Sequence, residues 1–116
     1  MPKIVVGLVK GRHELPVDEY IFEKIEDPSD IESIEKTAMQ WVEAHCDIGI
    51  ASGAGINQCD YTDVQIYTSS VKLVIYVTGL TVALTSVLNA CALNGVRTVL
   101  MHYNSVTGEY VEQEMF

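Results

Sequence analysis

Hydrophobic residues in the C-terminal half of the chain predict a strand, a turn, a helix and a second strand. Residues 73–77 (LVIYV) form an apolar, β-branched run that is typical of a buried strand. Residues 82–93 are long and apolar enough for a packed helix, which Asn94-Gly95 ends because glycine accepts a left-handed conformation. Residues 96–103 form the next strand. Two buried strands joined by a helix make a right-handed βαβ unit.

The N-terminal half begins with an apolar strand at residues 3–9. Residues 17–26 fit either a strand whose side chains alternate between two faces or a helix with one common face. We favour a short strand at residues 19–25. Asp27-Pro28 ends that segment. A helix then begins at a predicted capping box formed by Ser29 and Glu32.

Apolar positions at helical spacing predict that one face of this helix is buried. They are Ile31, Ile34, Ala38, Trp41, Val42 and His45. Trp41 is expected to be a core anchor. His45 lies on the same stripe, and we expect it to be a core or helix-cap residue whose ring is hydrogen-bonded within the protein.

The middle of the chain is the least regular part. Residues 47–51 predict a short strand, and residues 52–57 (SGAGIN) have some likeness to a phosphate-binding loop. This motif is incomplete, since Gln58 replaces the third small residue and no lysine follows, so we favour a flexible loop over a phosphate-binding loop. Residues 58–70 are polar, with a β-prone centre at 64–67. Near the C-terminus, residues 104–108 predict a turn and residues 109–116 a strand that completes a hairpin.

Together these elements predict a single Rossmann-like α/β domain over residues 1–116, with a mostly parallel sheet and a C-terminal β-hairpin. The length of 116 residues and the 48% hydrophobic content fit one globular core. The longest apolar run is far too short to cross a bilayer, and residues 1–3 show no signal-peptide pattern. We therefore expect a cytoplasmic protein without membrane contact.

The net charge of −9 argues against binding of long nucleic acid, which needs an extended basic surface. A small phosphate ligand remains possible, because backbone N–H groups can hold it. The cysteines Cys46, Cys59 and Cys91 form no CxxC pair, and the three histidines are scattered. We expect no metal site and no cofactor.

Basic residues are concentrated in the loop after the first strand, where Lys10, Arg12 and His13 lie close together. Lys10 and Arg12 could contact a phosphate or carboxylate, and His13 could transfer a proton. The alternative is an ordinary solvated turn whose charges pair with nearby acidic residues such as Glu14.

A second candidate site is the turn Thr78, Gly79, Leu80 and Thr81, which precedes the C-terminal helix. Ligands of open α/β sheets bind beyond the carboxyl ends of the strands, and a helix N-terminus favours an anion. Thr81 is the expected N-cap residue, which it could be with or without a ligand. If the first strand pairs with the strand at 72–77, this turn and the Lys10–His13 loop share one rim. The pair of loops then forms a plausible site for a nucleotide or phosphodiester.

The C-terminal half resembles the CARF-type Rossmann domains and small ring nucleases of type III CRISPR systems. The resemblance is carried by KLVIYVTG, the T-G-L-T turn, VALTSVLNACALNG and VRTVLMHY, and by KIVVGLV followed by KGRH near the N-terminus. It covers about half of the chain. The acidic charge and residues 52–70 depart from the pattern, and we expect no effector domain within these 116 residues.

This resemblance implies a homodimer that binds a cyclic oligoadenylate or a related small nucleotide in antiviral defence. Thr78, Gly79, Leu80 and Thr81 would lie along the ligand. Lys10, Arg12 and His13 would be the catalytic residues of a metal-independent ring nuclease, if the protein is an enzyme. The alternative is a non-enzymatic protein that sequesters a small ligand or regulates a partner.

Overall fold

The computed structural model describes residues 2–11, 14–50 and 66–115. The described chain forms seven strands and two helices. They are β1 (Lys3–Val9), β2 (Tyr20–Phe22), α1 (Ile31–His45), β3 (Ile48–Ile50), β4 (Tyr67–Ser69), β5 (Lys72–Tyr76), α2 (Thr81–Leu93), β6 (Arg97–Asn104) and β7 (Glu109–Glu114). None of the helices in these ranges is long and apolar enough to cross a membrane.

Five of the strands form one mostly parallel sheet in the order β2-β1-β5-β6-β7. β1 pairs in parallel with β2 and β5, and β5 pairs in parallel with β6. β7 returns antiparallel beside β6, after the turn at residues 105–108. The predicted fold class is therefore confirmed, including the βαβ unit and the C-terminal hairpin.

Both helices cover the same face of this sheet. The connections from β2 to β5 and from β5 to β6 run in the same direction across it, so right-handed crossovers place α1 and α2 on one side. The two helices pack against each other. Alternate strand residues such as Val6, Leu8, Leu73 and Ile75 are fully buried in the core beneath them.

The start of α1 differs from the predicted capping box. Asp30 is the N-cap residue, and its carboxylate accepts a hydrogen bond from the Ser33 N–H at 3.3 Å. Ser29 instead donates its hydroxyl to Asp27 at 2.6 Å, which lowers the pKa of the Asp27 carboxyl. Three side chains within four positions, those of Asp27, Ser29 and Asp30, could cap the helix, and it begins after the last of them.

The buried stripe of α1 is narrower than predicted. Ile34, Ala38 and Val42 are buried, whereas Ile31 and His45 are exposed. Trp41 is half-buried against the core, and its ring stacks on His45 with centroids 4.3 Å apart. His45 is therefore a surface residue, and its Nδ1 lies 2.8 Å from the Trp41 carbonyl oxygen.

β2 confirms the strand that we favoured at residues 19–25, although it is only three residues long. β3 confirms the strand predicted at residues 47–51. The pairing of β3 with β4 as a separate antiparallel hairpin was not predicted. This hairpin is tied to the end of α1, because Ser69 donates to the Cys46 carbonyl and Ser70 to the Asp47 carboxylate.

The end of α2 confirms the predicted stop at Asn94-Gly95. Gly95 has a φ of +65°, which favours glycine strongly. A Cβ atom at this position would also overlap the backbone carbonyl oxygen of Tyr67 in β4. Gly95 therefore permits both the helix end and the close approach of β4.

We expect Gly95→Ala to lower the free energy of unfolding by about 1–3 kcal/mol, because it adds backbone strain and a steric overlap. Urea unfolding followed by circular dichroism measures the change. Gly108→Ala is the matched control, since Gly108 has a φ of +75° but open space around it. If Gly95→Ala is no more destabilising than Gly108→Ala, the close approach of β4 is wrong.

Candidate functional site

The position of the candidate site depends on the pairing of β1 with β5. The two strands are parallel neighbours, with Lys3 beside Lys72 and Gly7 beside Tyr76. Their carboxyl ends therefore point to the same edge of the sheet, as the sequence interpretation required. The loop after β1 and the turn after β5 follow these ends directly.

A cleft of about 600 Å³ opens at this edge. Its walls come from the loop after β1, the turn after β5, the end of β6 and the start of β7. The described lining residues are Glu14, Leu15, Val77, Thr78, Gly79, His102, Tyr103 and Tyr110. The loop after β1 and the turn after β5 thus meet at one cleft, but the first contributes Glu14 and Leu15 rather than Lys10.

The N-terminus of α2 begins next to this cleft without a side-chain cap. Leu80, and not Thr81, is the N-cap residue, and its side chain makes no cap hydrogen bond with the first-turn N–H groups. The prediction for Thr81 is wrong because the helix starts one residue earlier and includes it. The first turn of α2 also lacks an acidic residue, whereas α1 has both the Asp30 cap and Glu32. The positive end of the α2 dipole is therefore not compensated by its own side chains.

Thr78 carries a buried hydroxyl without a hydrogen-bond partner among the described residues. The residue is only 4% exposed, although it lines the cleft. A buried polar group without a partner is destabilising, and native structures contain few of them. This hydroxyl can donate to a ligand oxygen that enters the cleft.

Gly79 is an exposed part of the cleft wall. A Cβ atom there would meet nothing within 4 Å, and its φ is not in the left-handed region. Neither the local backbone nor packing among the described residues requires a glycine at this position. A bare backbone does allow a ligand to approach the peptide groups at the start of α2 closely.

The wall opposite this turn is aromatic. Tyr103 is 59% exposed, and its ring meets Tyr110 edge-on with centroids 5.4 Å apart. Tyr110 also contacts Tyr76 edge-on at 4.8 Å. The exposed ring of Tyr103 offers a flat surface on which a nucleobase can stack.

His102 is the histidine that the described structure places in the cleft wall. Its Nε2 lies 2.7 Å from the side-chain oxygen of Gln113, a hydrogen bond in which the ring donates. This contact fixes the ring across the β6–β7 pair and leaves Nδ1 as the other nitrogen that can act on a ligand.

The basic residues predicted as catalytic are only partly described. Lys10 lies directly after β1, and its Nζ is 3.4 Å from Glu23 on the β2 side. It does not line the cleft. Arg12 and His13 lie outside the described residues. Leu80 packs against the core and Thr81 is exposed, so neither side chain lines the cleft.

The described residues contain no cluster of His, Cys, Asp and Glu that could hold a metal ion. Cys46 and Cys91 are free and buried. Burial raises the pKa of Cys46 to about 12 and that of Cys91 to about 11, so both thiols stay protonated at neutral pH. Cys91 is a core residue, as predicted, while Cys59 lies outside the described residues.

Sequence reasoning missed the cleft residues His102, Tyr103 and Tyr110. The predicted strand at residues 96–103 ends in His102 and Tyr103, and its carboxyl end lies beside that of β5. A polar and aromatic pair at that end was therefore a usable signal. Tyr110 could be added only from the register of the hairpin, which pairs it with Tyr103.

No protein-family model matches the sequence, no curated protein matches it, and no solved structure matches its fold. The relationship to CARF-type domains therefore stays a prediction.

We expect Thr78→Val to raise the free energy of unfolding by about 1–2 kcal/mol, because it replaces an unpartnered buried hydroxyl with a methyl group of similar size. Urea unfolding without ligand measures this. Thr98→Val is the control, since the buried Thr98 hydroxyl donates to the Val96 carbonyl at 3.1 Å and its loss should be destabilising. A loss of stability in Thr78→Val would mean that the hydroxyl has a partner in the folded protein.

Proposed function

We propose that the chain binds a nucleotide second messenger of the cyclic oligoadenylate type at the cleft beyond β5. The observation that carries this proposal is the unpartnered, buried hydroxyl of Thr78 beside the uncapped N-terminus of α2. Both groups lack an electronegative partner, and both adjoin the same cleft. A phosphate oxygen supplies that partner.

The two walls of the cleft suit the two parts of a nucleotide. On one side a phosphate approaches the backbone at Gly79, where no side chain stands in the way, and accepts from Thr78. On the other side an adenine base stacks on the exposed ring of Tyr103. The acidic charge of the chain is compatible with this mode, because backbone N–H groups and one hydroxyl hold the anion.

The described part of the cleft favours binding over cleavage. Its described lining residues include no lysine or arginine, and Lys10 is paired with Glu23. Metal-independent cleavage of a phosphodiester requires stabilisation of charge on the phosphate and a group that transfers a proton. His102 could transfer the proton, but the stabilising charge would have to come from Arg12, with His13 as a second proton-transfer group.

A non-enzymatic protein that sequesters its ligand is therefore the second candidate function. The same cleft serves both candidates. They differ in whether the loop of Lys10, Arg12 and His13 acts on the bound phosphate. We also propose that two copies of the chain share one ligand.

We expect Gly79→Val to weaken binding of cyclic oligoadenylates about 10–100-fold, because the added side chain fills the cleft where the phosphate approaches the backbone. Isothermal titration calorimetry with cyclic tri-, tetra- and hexa-adenylate measures the affinity. Gly49→Val in β3 is the matched control, since Gly49 also has open space around it but does not line the cleft.

Two results contradict the site. One is equal binding by Gly79→Val and the wild-type protein, and the other is no binding of any cyclic oligoadenylate by the wild-type protein. The recovered ligand separates the two candidate functions. Linear products that disappear in His13→Ala or Arg12→Ala indicate a ring nuclease, and intact ligand indicates sequestration.

A further inference from the structure

A half-buried histidine, His102, lies on the β6 side of the cleft beyond β5. It follows Met101, whose carbonyl oxygen accepts a hydrogen bond from the Val77 N–H at 3.1 Å. This bond extends the parallel pairing of β5 and β6 by one residue, because Tyr76 is the register partner of Met101. His102 is therefore level with Val77, next to the turn that begins at Thr78.

His102 lies on the face of the sheet that the helices cover. Side chains alternate between the two faces of a strand, and Leu100, two residues earlier in β6, belongs to the core beneath the helices. α2 begins just after the turn at Thr78 and packs on β6. His102 therefore reaches the cleft from the side on which the N-terminus of α2 lies.

The hydrogen bond to Gln113 determines which ring nitrogen of His102 is available to a ligand. Nε2 donates to the side-chain oxygen of Gln113, which belongs to β7, at 2.7 Å. The two nitrogens of an imidazole ring point in nearly opposite directions, so Nδ1 faces away from β7 and toward β5. Nδ1 has no hydrogen-bond partner among the described residues. A ligand at the turn of Thr78 can therefore bond to it.

The charge of His102 decides whether Nδ1 attracts or repels a phosphate. With its proton on Nε2, the neutral ring has a lone pair on Nδ1, which repels a phosphate oxygen. The imidazolium ring has an N–H at both nitrogens, so Nδ1 can donate a charge-assisted hydrogen bond. Histidine side chains change between these two forms between about pH 5 and 8. Only the charged form favours an anion in the cleft.

The side chains around His102 give the cleft a negative character. The described wall contains Glu14 but no lysine or arginine, and its other titratable groups are Tyr103 and Tyr110. Glu109 lies on the face of β7 that also carries Gln113, and the first turn of α2 has no acidic residue. Neither glutamate forms a salt bridge among the described residues. In the described wall, His102 is thus the residue that can supply a positive charge.

We propose, on the basis of the nucleotide site proposed above, that His102 binds the phosphate of the ligand as an imidazolium, so that binding takes up a proton. The Thr78 hydroxyl and the backbone at the start of α2 hold the phosphate from the β5 side, and Nδ1 of His102 donates to it from the β6 side. The proton comes from the buffer and is held at Nδ1. Lys10 takes no part, because it is paired with Glu23.

Proton uptake makes the affinity depend on pH in one direction. Phosphodiesters stay anionic throughout the range in which histidine titrates, so the ligand itself gains no proton. At the acidic end of this range His102 is already charged, and the full affinity is present. As the pH rises the ring loses its charge, and binding weakens. A hydrogen bond to a charged group contributes about 10–100-fold in affinity, which sets the expected size of the change.

The experiment is isothermal titration calorimetry with cyclic tetra-adenylate between about pH 5.5 and about pH 8.5, in buffers that differ in their enthalpy of ionisation. We expect the wild-type protein to bind about 10–100-fold more tightly at the acidic end and to take up as much as about one proton per site. His102→Gln should bind with the weaker affinity at every pH and take up no proton.

Two other histidine variants serve as controls. His45→Gln is the matched control, since His45 is an exposed histidine of α1 that stacks on Trp41 and does not line the cleft. His13→Gln removes the histidine of the predicted catalytic loop. Both variants should keep the pH dependence and the proton uptake of the wild-type protein.

The outcomes separate the role of His102 from the nucleotide site itself. Wild-type binding that is independent of pH and takes up no proton would overturn the role of His102 and leave the site intact. Uptake that persists in His102→Gln, or that disappears in His13→Gln, would assign the proton to another group and also overturn it. Absence of binding at every pH would contradict the proposed function, and the role of His102 with it. The wild-type measurement requires no variant, so a folding defect in His102→Gln cannot hide the result.

Discussion

The parallel pairing of β1, β5 and β6 determines where the other features of the structure lie. Because these three strands run in the same direction, their carboxyl ends meet at one edge, where α2 begins. The turn before α2, the loop after β1 and the end of β6 are distant in sequence but adjacent at this edge. The same registration collects Lys3, Lys72 and Arg97 in one row at the other end. The cleft and this row of basic residues are thus two consequences of one hydrogen-bonding pattern.

The two helices differ in how the backbone N–H groups of their first turns are capped. Asp30 caps α1, and Glu32 adds a negative charge to its first turn. α2 has neither feature, and the neighbouring Thr78 hydroxyl also lacks a partner among the described residues. Both conditions reduce stability in the absence of a ligand. These polar groups lie at the edge of the cleft without partners among the described side chains. A ligand can therefore bond to them without first breaking a hydrogen bond inside the protein.

Several parts of the fold could be predicted from local sequence signals. The βαβ unit follows from two apolar runs, an apolar helix of suitable length and the Asn94-Gly95 stop, and the structure confirms all of them. The residue that caps α1 was harder to predict, because the side chains of Asp27, Ser29 and Asp30 all offer oxygen atoms within four positions. Asp30 caps the helix, whereas Ser29 and Asp27 bond to each other. Spacing alone does not determine which competing side chain is used.

The composition of the cleft was harder to predict because it depends on contacts between distant segments. The turn at Thr78 and Gly79 could be recognised, since a glycine between a strand and a helix is a local signal. His102, Tyr103 and Tyr110 join the cleft only through the pairing of β6 with β5 and β7. Likewise, nothing local to Lys10 showed that it would pair with Glu23 beside β2. Val5 is exposed because both helices lie on the other face of the sheet. The hydrophobic periodicity of the sequence does not show which face the helices cover.

The central claim is that a cyclic oligoadenylate binds at the start of α2, and amide chemical shifts test it most directly. The measurement is a titration of the isotopically labelled protein with cyclic tetra-adenylate, followed by two-dimensional ¹⁵N–¹H spectra. The account predicts the largest shifts at the amides of Thr78, Gly79, Leu80 and Thr81 and at Tyr103, with none at Gly49. Shifts confined to other parts of the chain, or no shifts at saturating nucleotide, would contradict it.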